Sequence, residues 1–127
     1  MMNAIQRPLP ARLYARIFRE LGALEAAGTP SADALRALSK SAGSSARLDR
    51  DKRDERLRDR AKRAASSVTG GQSVGTAGHR AGLFRAADAR YISLAEEVGN
   101  LGRAYEGLAL KYESLDRRSR RVRGQCL

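Results

Sequence analysis

Between Leu94 and Val122 the chain reads LAEEVGNLGRAYEGLALKYESLDRRSRRV, and the fold turns on this stretch. From Leu101 onward, apolar residues return at alternating steps of four and three: Leu101, Tyr105, Leu108, Tyr112, Leu115 and, after a polar Ser119, Val122. That alternation keeps side chains on one stripe of an α-helix. It predicts a helix about 33 Å long at a rise of 1.5 Å per residue. Upstream, Ala89, Ile92 and Leu94 to Ala95 have helical spacing as well, which predicts a helix from Arg85 to Val98. Gly99 separates the two segments, because glycine enters the left-handed conformation that reverses a chain, and Asn100 is suited to cap the next helix. The stretch therefore reads as a tight corner between two packed helices. Glu96 and Glu97 are adjacent, so on a helix they point about 100° apart and cannot share a proton as a catalytic carboxylate pair does. Glu97 is expected to face solvent or a nearby arginine. Glu96 is expected to close the corner by accepting backbone or side-chain donors. The alternative for Glu96 is a share in a divalent cation with Asp88 or a second chain.

Towards the N-terminus, Leu13, Ile17, Leu21 and Leu24, with Tyr14 and Phe18 beside them, mark a first amphipathic helix. Gly28 ends it, Thr29-Pro30-Ser31 turns the chain, and Ser31 is the expected N-cap of a second helix that carries Ala34, Leu35 and Leu38 and stops near Gly43. A third helix is expected from Ser45 to Val68. Its second half bears a narrow stripe of Leu57, Ala61, Ala64 and Val68, whereas Arg47 to Glu55 is almost wholly charged. Asp49 with Arg53, Asp54 with Arg58, and Asp59 with Arg63 are acid-before-base pairs at i,i+4 that support such a helix. GGQSVGTAGHRAG, from Gly70 to Gly82, leaves room for at most one short fourth helix, since glycine inside a helix costs about 1 kcal/mol relative to alanine. Sparse aromatic and β-branched residues, no Trp, and abundant Ala, Leu, Arg and Glu agree on an all-α fold of six helices, the fourth short or irregular.

With 127 residues the chain is most simply one domain, divided into an N-terminal segment 1–12, a helical domain 13–122 and a basic tail 123–127. Twenty-five Lys and Arg against fourteen Asp and Glu give a net charge of +11, a field that attracts polyanions without choosing among nucleic acid, anionic lipid and acidic protein. The one cysteine, Cys126, cannot form an internal disulfide. No apolar run approaches the roughly 20 residues that span a bilayer, and Met1 to Ala11 lacks the apolar centre of a signal peptide.

Patterns that would signal chemistry are missing their essential members. Gly70 and Gly75 have the separation of a phosphate-binding loop, but Thr76 stands where its lysine belongs and no strand precedes it. His79 is the only histidine and Cys126 is isolated, so no metal-ligand spacing occurs. No nucleophile stands in a local pattern with an activating base. These features disfavour an enzyme and imply no cofactor. The run Arg47 to Arg63 holds nine basic and five acidic residues with no aromatic among them. Single-strand binders interleave aromatics, and major-groove helices present uncompensated cations with Asn or Gln readers, so nucleic acid is disfavoured as the partner of this run. It is expected to be a solvated face. Its arginines Arg47, Arg50, Arg53 and Arg56 are the candidates for docking an acidic partner.

The segment IFRELGALEAAGTPSADALRAL, Ile17 to Leu38, resembles the start of the cytoplasmic domain of the type II secretion system F protein family, the inner-membrane platform proteins of type II secretion and type IV pilus assembly. The matching positions are Ile17, Leu21, Leu24, Ala27-Gly28, Pro30, Ala34-Leu35 and Leu38. Val68, Gly71 and Ser73 then resemble the family's residues before its fourth helix, and Leu83-Phe84 the apolar-Phe pair after it. AEEVGNL is similar to its Gly-Glu-x-x-Gly-x-Leu corner, with Glu96, Gly99 and Leu101 in place and Ala95 where glycine is usual; Leu108 and Tyr112 follow. The resemblance implies a compact six-helix bundle at the cytoplasmic face of the inner membrane, without catalysis of its own. It would transmit work from a secretion or assembly ATPase, or its membrane-bound or cytoplasmic adaptor, toward pilin-like subunits. It also implies that the arginines Arg117, Arg118, Arg120, Arg121 and Arg123 lead towards a membrane segment, where arginines hold a helix end at the cytoplasmic face. A homo-oligomer is left open, and the rival is a small basic helical protein that binds nucleic acid.

Overall fold

The computed structural model describes residues 9–43 and 52–125 of the chain. They form six helices: α1 (Ala11–Ala26), α2 (Ser31–Gly43), α3 (Lys52–Thr69), α4 (Val74–Arg80), α5 (Ala86–Glu97) and α6 (Leu101–Gln125). No strand occurs among the described residues. The all-α bundle expected from the sequence is what is found, with the fourth helix two turns long. The start expected for the third helix, at Ser45, lies outside the described residues.

The four connections that can be followed among the described residues all begin by ending a helix in the same way. At the end of α1, Gly28 adopts φ +82 and the Thr29 N–H donates to the Leu24 carbonyl at 3.0 Å. At the end of α5, Gly99 adopts φ +72 and the Asn100 N–H donates to the Ala95 carbonyl at 2.8 Å. Gly71 and Gly82 repeat the device after α3 and α4. Each is a six-to-one bond closed by a left-handed residue, a conformation in which a side chain is strained. The glycine-terminated corners are therefore built by backbone geometry, and LAEEVGNL is one of them.

The helices pack as antiparallel neighbours, the first against the last. α6 lies along α1, which the bidentate Arg19–Glu113 pair (3.0 and 2.8 Å) ties on the surface. α2 lies along α3, α4 along α5, and α5 returns along α6. Leu13, Ile17, Phe18 and Leu21 of α1 meet Leu101, Tyr105, Leu108 and Tyr112 of α6 in one core, which also takes in Leu35, Leu38, Leu57, Leu83 and Ile92. Phe18 is its centre: its ring stacks on Phe84 at 5.4 Å, Tyr112 at 5.9 Å and Tyr105 at 6.2 Å. Each such pair adds about 0.5–1.5 kcal/mol beyond burial.

Several expectations need correction. Leu115 (38% exposed) and Val122 (55%) do not join the seam, because α6 outruns the neighbour that covers it. Leu94 points outward from α5, not into the core. Pro30, not Ser31, precedes α2: its carbonyl accepts from the Ala34 N–H at 2.8 Å, and Ser31 is already helical. Among the described residues Asp59 and Arg63 form no ion pair, since Arg63 Nη2 reaches the Ala81 carbonyl at 3.5 Å. The pairs involving Asp49 and Asp54 rest on residues outside the description. α1 starts at Ala11, and Leu9 before it is buried with its N–H donating to Tyr14 Oη at 3.1 Å.

Gly75 and Gly78 sit inside α4, where propensity alone disfavours them. A Cβ on Gly75 would lie 2.3 Å from the Ala89 carbonyl oxygen, and one on Gly78 2.2 Å from the Phe84 ring. The two glycines let α4 lie directly on the α5 backbone and on the ring that closes the core. The glycine-rich stretch that left room for only a short helix forms a close-packed seam.

Candidate docking surface

α2 and α3 present two facing rows of side chains at i,i+4 spacing: Arg36 and Lys40 on one helix, Arg58 and Lys62 on the other. They line an open groove of about 470 Å³ whose floor includes Ser39 and Ala65. Ser39 holds the two helices in register by donating to the Arg58 carbonyl at 3.0 Å. Arg36 is fixed at the groove end between Asp33 (2.7 Å) and Thr69 Oγ1 (2.7 Å). Among the described residues Lys40, Arg58 and Lys62 have no ion-pair partner, and no carboxylate lines the groove. Three uncompensated cations on two packed helices give this groove a positive field.

Of the arginines singled out for docking, Arg47 and Arg50 lie outside the described residues. Arg53 lies on α3 without a described side chain, and Arg56 is exposed there. The groove residues were missed because half of them come from α2, and only folding brings the helices together. A signal was present in the sequence as Arg36 with Lys40 and Arg58 with Lys62, each pair one helical turn apart.

Arg60 behaves differently from its neighbours. It is buried (8% exposed), and its Nη1 donates to the Gly82 carbonyl at 3.0 Å. Together with Arg63 it places positive charge where α4 ends and its carbonyls point outward. Desolvation lowers its pKa from the ordinary guanidinium value. Its place three residues after Leu57 and four before Ala64 put it on the apolar stripe, which is how the sequence marked it.

The two carboxylates considered for a cation have separate duties. Asp88, buried in the first turn of α5, accepts from Lys111 Nζ at 3.0 Å and from the Tyr112 hydroxyl. Burial, followed by that hydrogen bond, pushes the Tyr112 phenol above its ordinary pKa. Glu96 accepts the Val74 N–H at 2.9 Å and so caps α4, while Glu97 is exposed. Glu96 thus closes a different corner from the one expected, tying the α5 end to the α4 start. No group of three or more His, Cys, Asp or Glu suited to a metal occurs among the described residues.

The arginines Arg117, Arg118, Arg120 and Arg121 are exposed on the overhanging end of α6, where Arg120 pairs with Asp116 at 3.1 Å; Arg123 lies on the same helix without a described side chain. No helix among the described residues is long and apolar enough to cross a membrane. The chain matches no known family profile and no curated protein.

Proposed function

We propose that the chain is the cytoplasmic helical domain of an inner-membrane platform protein that couples an assembly ATPase to pilin or pseudopilin assembly, and that it docks the ATPase or its adaptor through the α2–α3 groove. The observation that carries this is positional. The residues that resemble the type II secretion system F family fall where six helices need them. Gly28, Gly71 and Gly99 hold left-handed caps, Ser73 caps α4, Leu83 and Phe84 enter the core, and Glu96 bridges two helices. The groove supplies the docking surface, whose cations recruit carboxylates by long-range attraction.

The test is capture of the ATPase or adaptor from cell extract by the wild-type chain and by a variant carrying Lys40→Glu, Arg58→Glu and Lys62→Glu. The variant is expected to keep its melting temperature within a few degrees, because exposed substitutions cost about 0.5 kcal/mol or less each, and to lose capture. Equal capture by a folded variant removes the groove from the interface.

A further inference from the structure

The short helix α4 and the helix α5 on which it lies face each other across an open hollow of about 440 Å³. From α4 come Thr76, His79 and Arg80, which share one face of the helix as i, i+3 and i+4; from α5 come Arg90 and Ser93, one turn apart. Ala86, Ala89 and Leu94 supply the apolar part of the wall. Gly75 makes the approach possible, since a Cβ there would stand 2.2 Å from Ser93 Oγ. Among the described residues no carboxylate lines the hollow, and the side chains of His79, Arg80 and Arg90 have no ion-pair or hydrogen-bond partner. Arg80 is not needed at the end of its own helix, because Arg63 and Arg60 already donate to the Ala81 and Gly82 carbonyls there. Thr76 Oγ1 accepts from Ser73 Oγ at 2.9 Å, which leaves its own O–H to be donated.

We propose that this hollow binds a small phosphate monoester with an aromatic body, the chemistry of a mononucleotide. Two guanidiniums, one from each helix, supply charge-assisted donors for the phosphate oxygens, in the planar fork that matches phosphate geometry. The Thr76 hydroxyl and the His79 ring extend that donor set from the α4 side. A phosphate ion alone would fill a small part of the space, which lies within the range of about 300–1,000 Å³ found for organic ligands. The rest of the ligand is therefore apolar: Ala86, Ala89 and Leu94 give a flat ring a surface to lie on, and a guanidinium plane stacks on the ring face. The site differs in kind from a phosphate-binding loop, because side chains of two helices hold the anion in place of backbone N–H groups that follow a strand. Its occupant bridges α4 and α5 and clamps the seam that Gly75 and Gly78 make close. The hollow is separate from the α2–α3 groove and does not depend on the function proposed for it.

Isothermal titration calorimetry of the full chain with adenosine 5′-monophosphate at physiological salt tests this, with inorganic phosphate and adenosine as the two halves of the probe. The monophosphate is expected to saturate one site per chain, and each half to bind at least about tenfold more weakly. His79 is the only histidine, so its ring Cε1 proton gives a single signal that should shift, at constant pH, as the site fills. Arg80→Gln/Arg90→Gln should weaken the monophosphate at least about tenfold. Arg12→Gln/Arg103→Gln removes the same charge from exposed places on α1 and α6 outside the hollow, and should change binding by about twofold or less. All four arginines are exposed, so both double variants keep the fold. No saturation by the monophosphate, either half binding as tightly as the whole, equal losses in the two double variants, or a His79 signal that ignores saturation overturns the proposal.

Discussion

Gly75→Ala is expected to destabilise the chain, although the same exchange inside a helix ordinarily stabilises by about 1 kcal/mol. The added methyl would stand 2.2 Å from Ser93 Oγ, 2.3 Å from the Ala89 carbonyl oxygen and 3.0 Å from the Ser93 nitrogen. The hydroxyl can rotate away. The Ala89 oxygen belongs to the α5 backbone, so α4 must withdraw by roughly 1 Å to reach ordinary contact, in the manner of overpacked cores that lose about 1–3 kcal/mol. Withdrawal also strains the Val74 N–H to Glu96 bond. Subtracting the propensity gain leaves a net loss of up to about 2 kcal/mol, to which the strained Val74 bond adds, at roughly 3–6 °C in melting temperature per kcal/mol for a chain of this size. Gly107→Ala is the matched control, because its Cβ would meet only Tyr91 Oη, at 3.8 Å; there the propensity gain should survive. Urea unfolding followed by far-UV circular dichroism reads both, with unchanged slopes confirming that stability alone has moved. Gains of similar size at the two positions would refute close packing of α4 on α5.

Leu108→Ala should cost about 2–5 kcal/mol, since Leu108 is buried in the α1–α6 core; Leu115→Ala, beyond the covered part of α6, should cost about 0.5 kcal/mol or less in the same urea titration. Asp88→Ala should cost about 1–3 kcal/mol by leaving the buried Tyr112 hydroxyl without its acceptor, and Tyr112→Phe in that background should recover part of the loss. Burial raises the phenol pKa of Tyr105 and Tyr112 above the ordinary 10.0. A raised folded-state pKa gives stability that is full below the unfolded value and falls as pH rises past it. Melting temperature should therefore fall above about pH 10, less steeply in Tyr105→Phe, while tyrosinate absorbance of the folded chain lags that of the denatured chain.

The helices and most of their boundaries were legible because apolar periodicity and terminating glycines are local signals. Leu101, Tyr105, Leu108 and Tyr112 announced α6, and Gly28 and Gly99 announced its corner and that of α1. What the sequence concealed depends on which surfaces meet. Leu115 and Val122 continue the α6 period, but period does not say where a neighbour ends. Leu94 lies on the outer side of a helix whose inner face Ala89, Ile92 and Ala95 already fill. Gly75 and Gly78 gave no sign of their close approach to Ala89 and Phe84, because that approach is a property of two elements. The docking groove was half visible for the same reason: the α3 charges stood out as a run, while Arg36 and Lys40 gain their meaning only across from Arg58 and Lys62.

Docking of protein carboxylates, rather than nucleic acid, at the α2–α3 groove is tested most directly by competition. The captured ATPase or adaptor complex is challenged with excess duplex DNA at physiological salt, and both chain–partner and chain–DNA association are followed by fluorescence anisotropy. Contacts that are purely electrostatic lose about 10³–10⁵ in DNA affinity between 50 and 200 mM salt when six to ten phosphates are involved. Protein docking predicts that the partner stays bound and that the DNA signal stays flat. Displacement of the partner by DNA, with saturable DNA binding that persists at physiological salt, contradicts it.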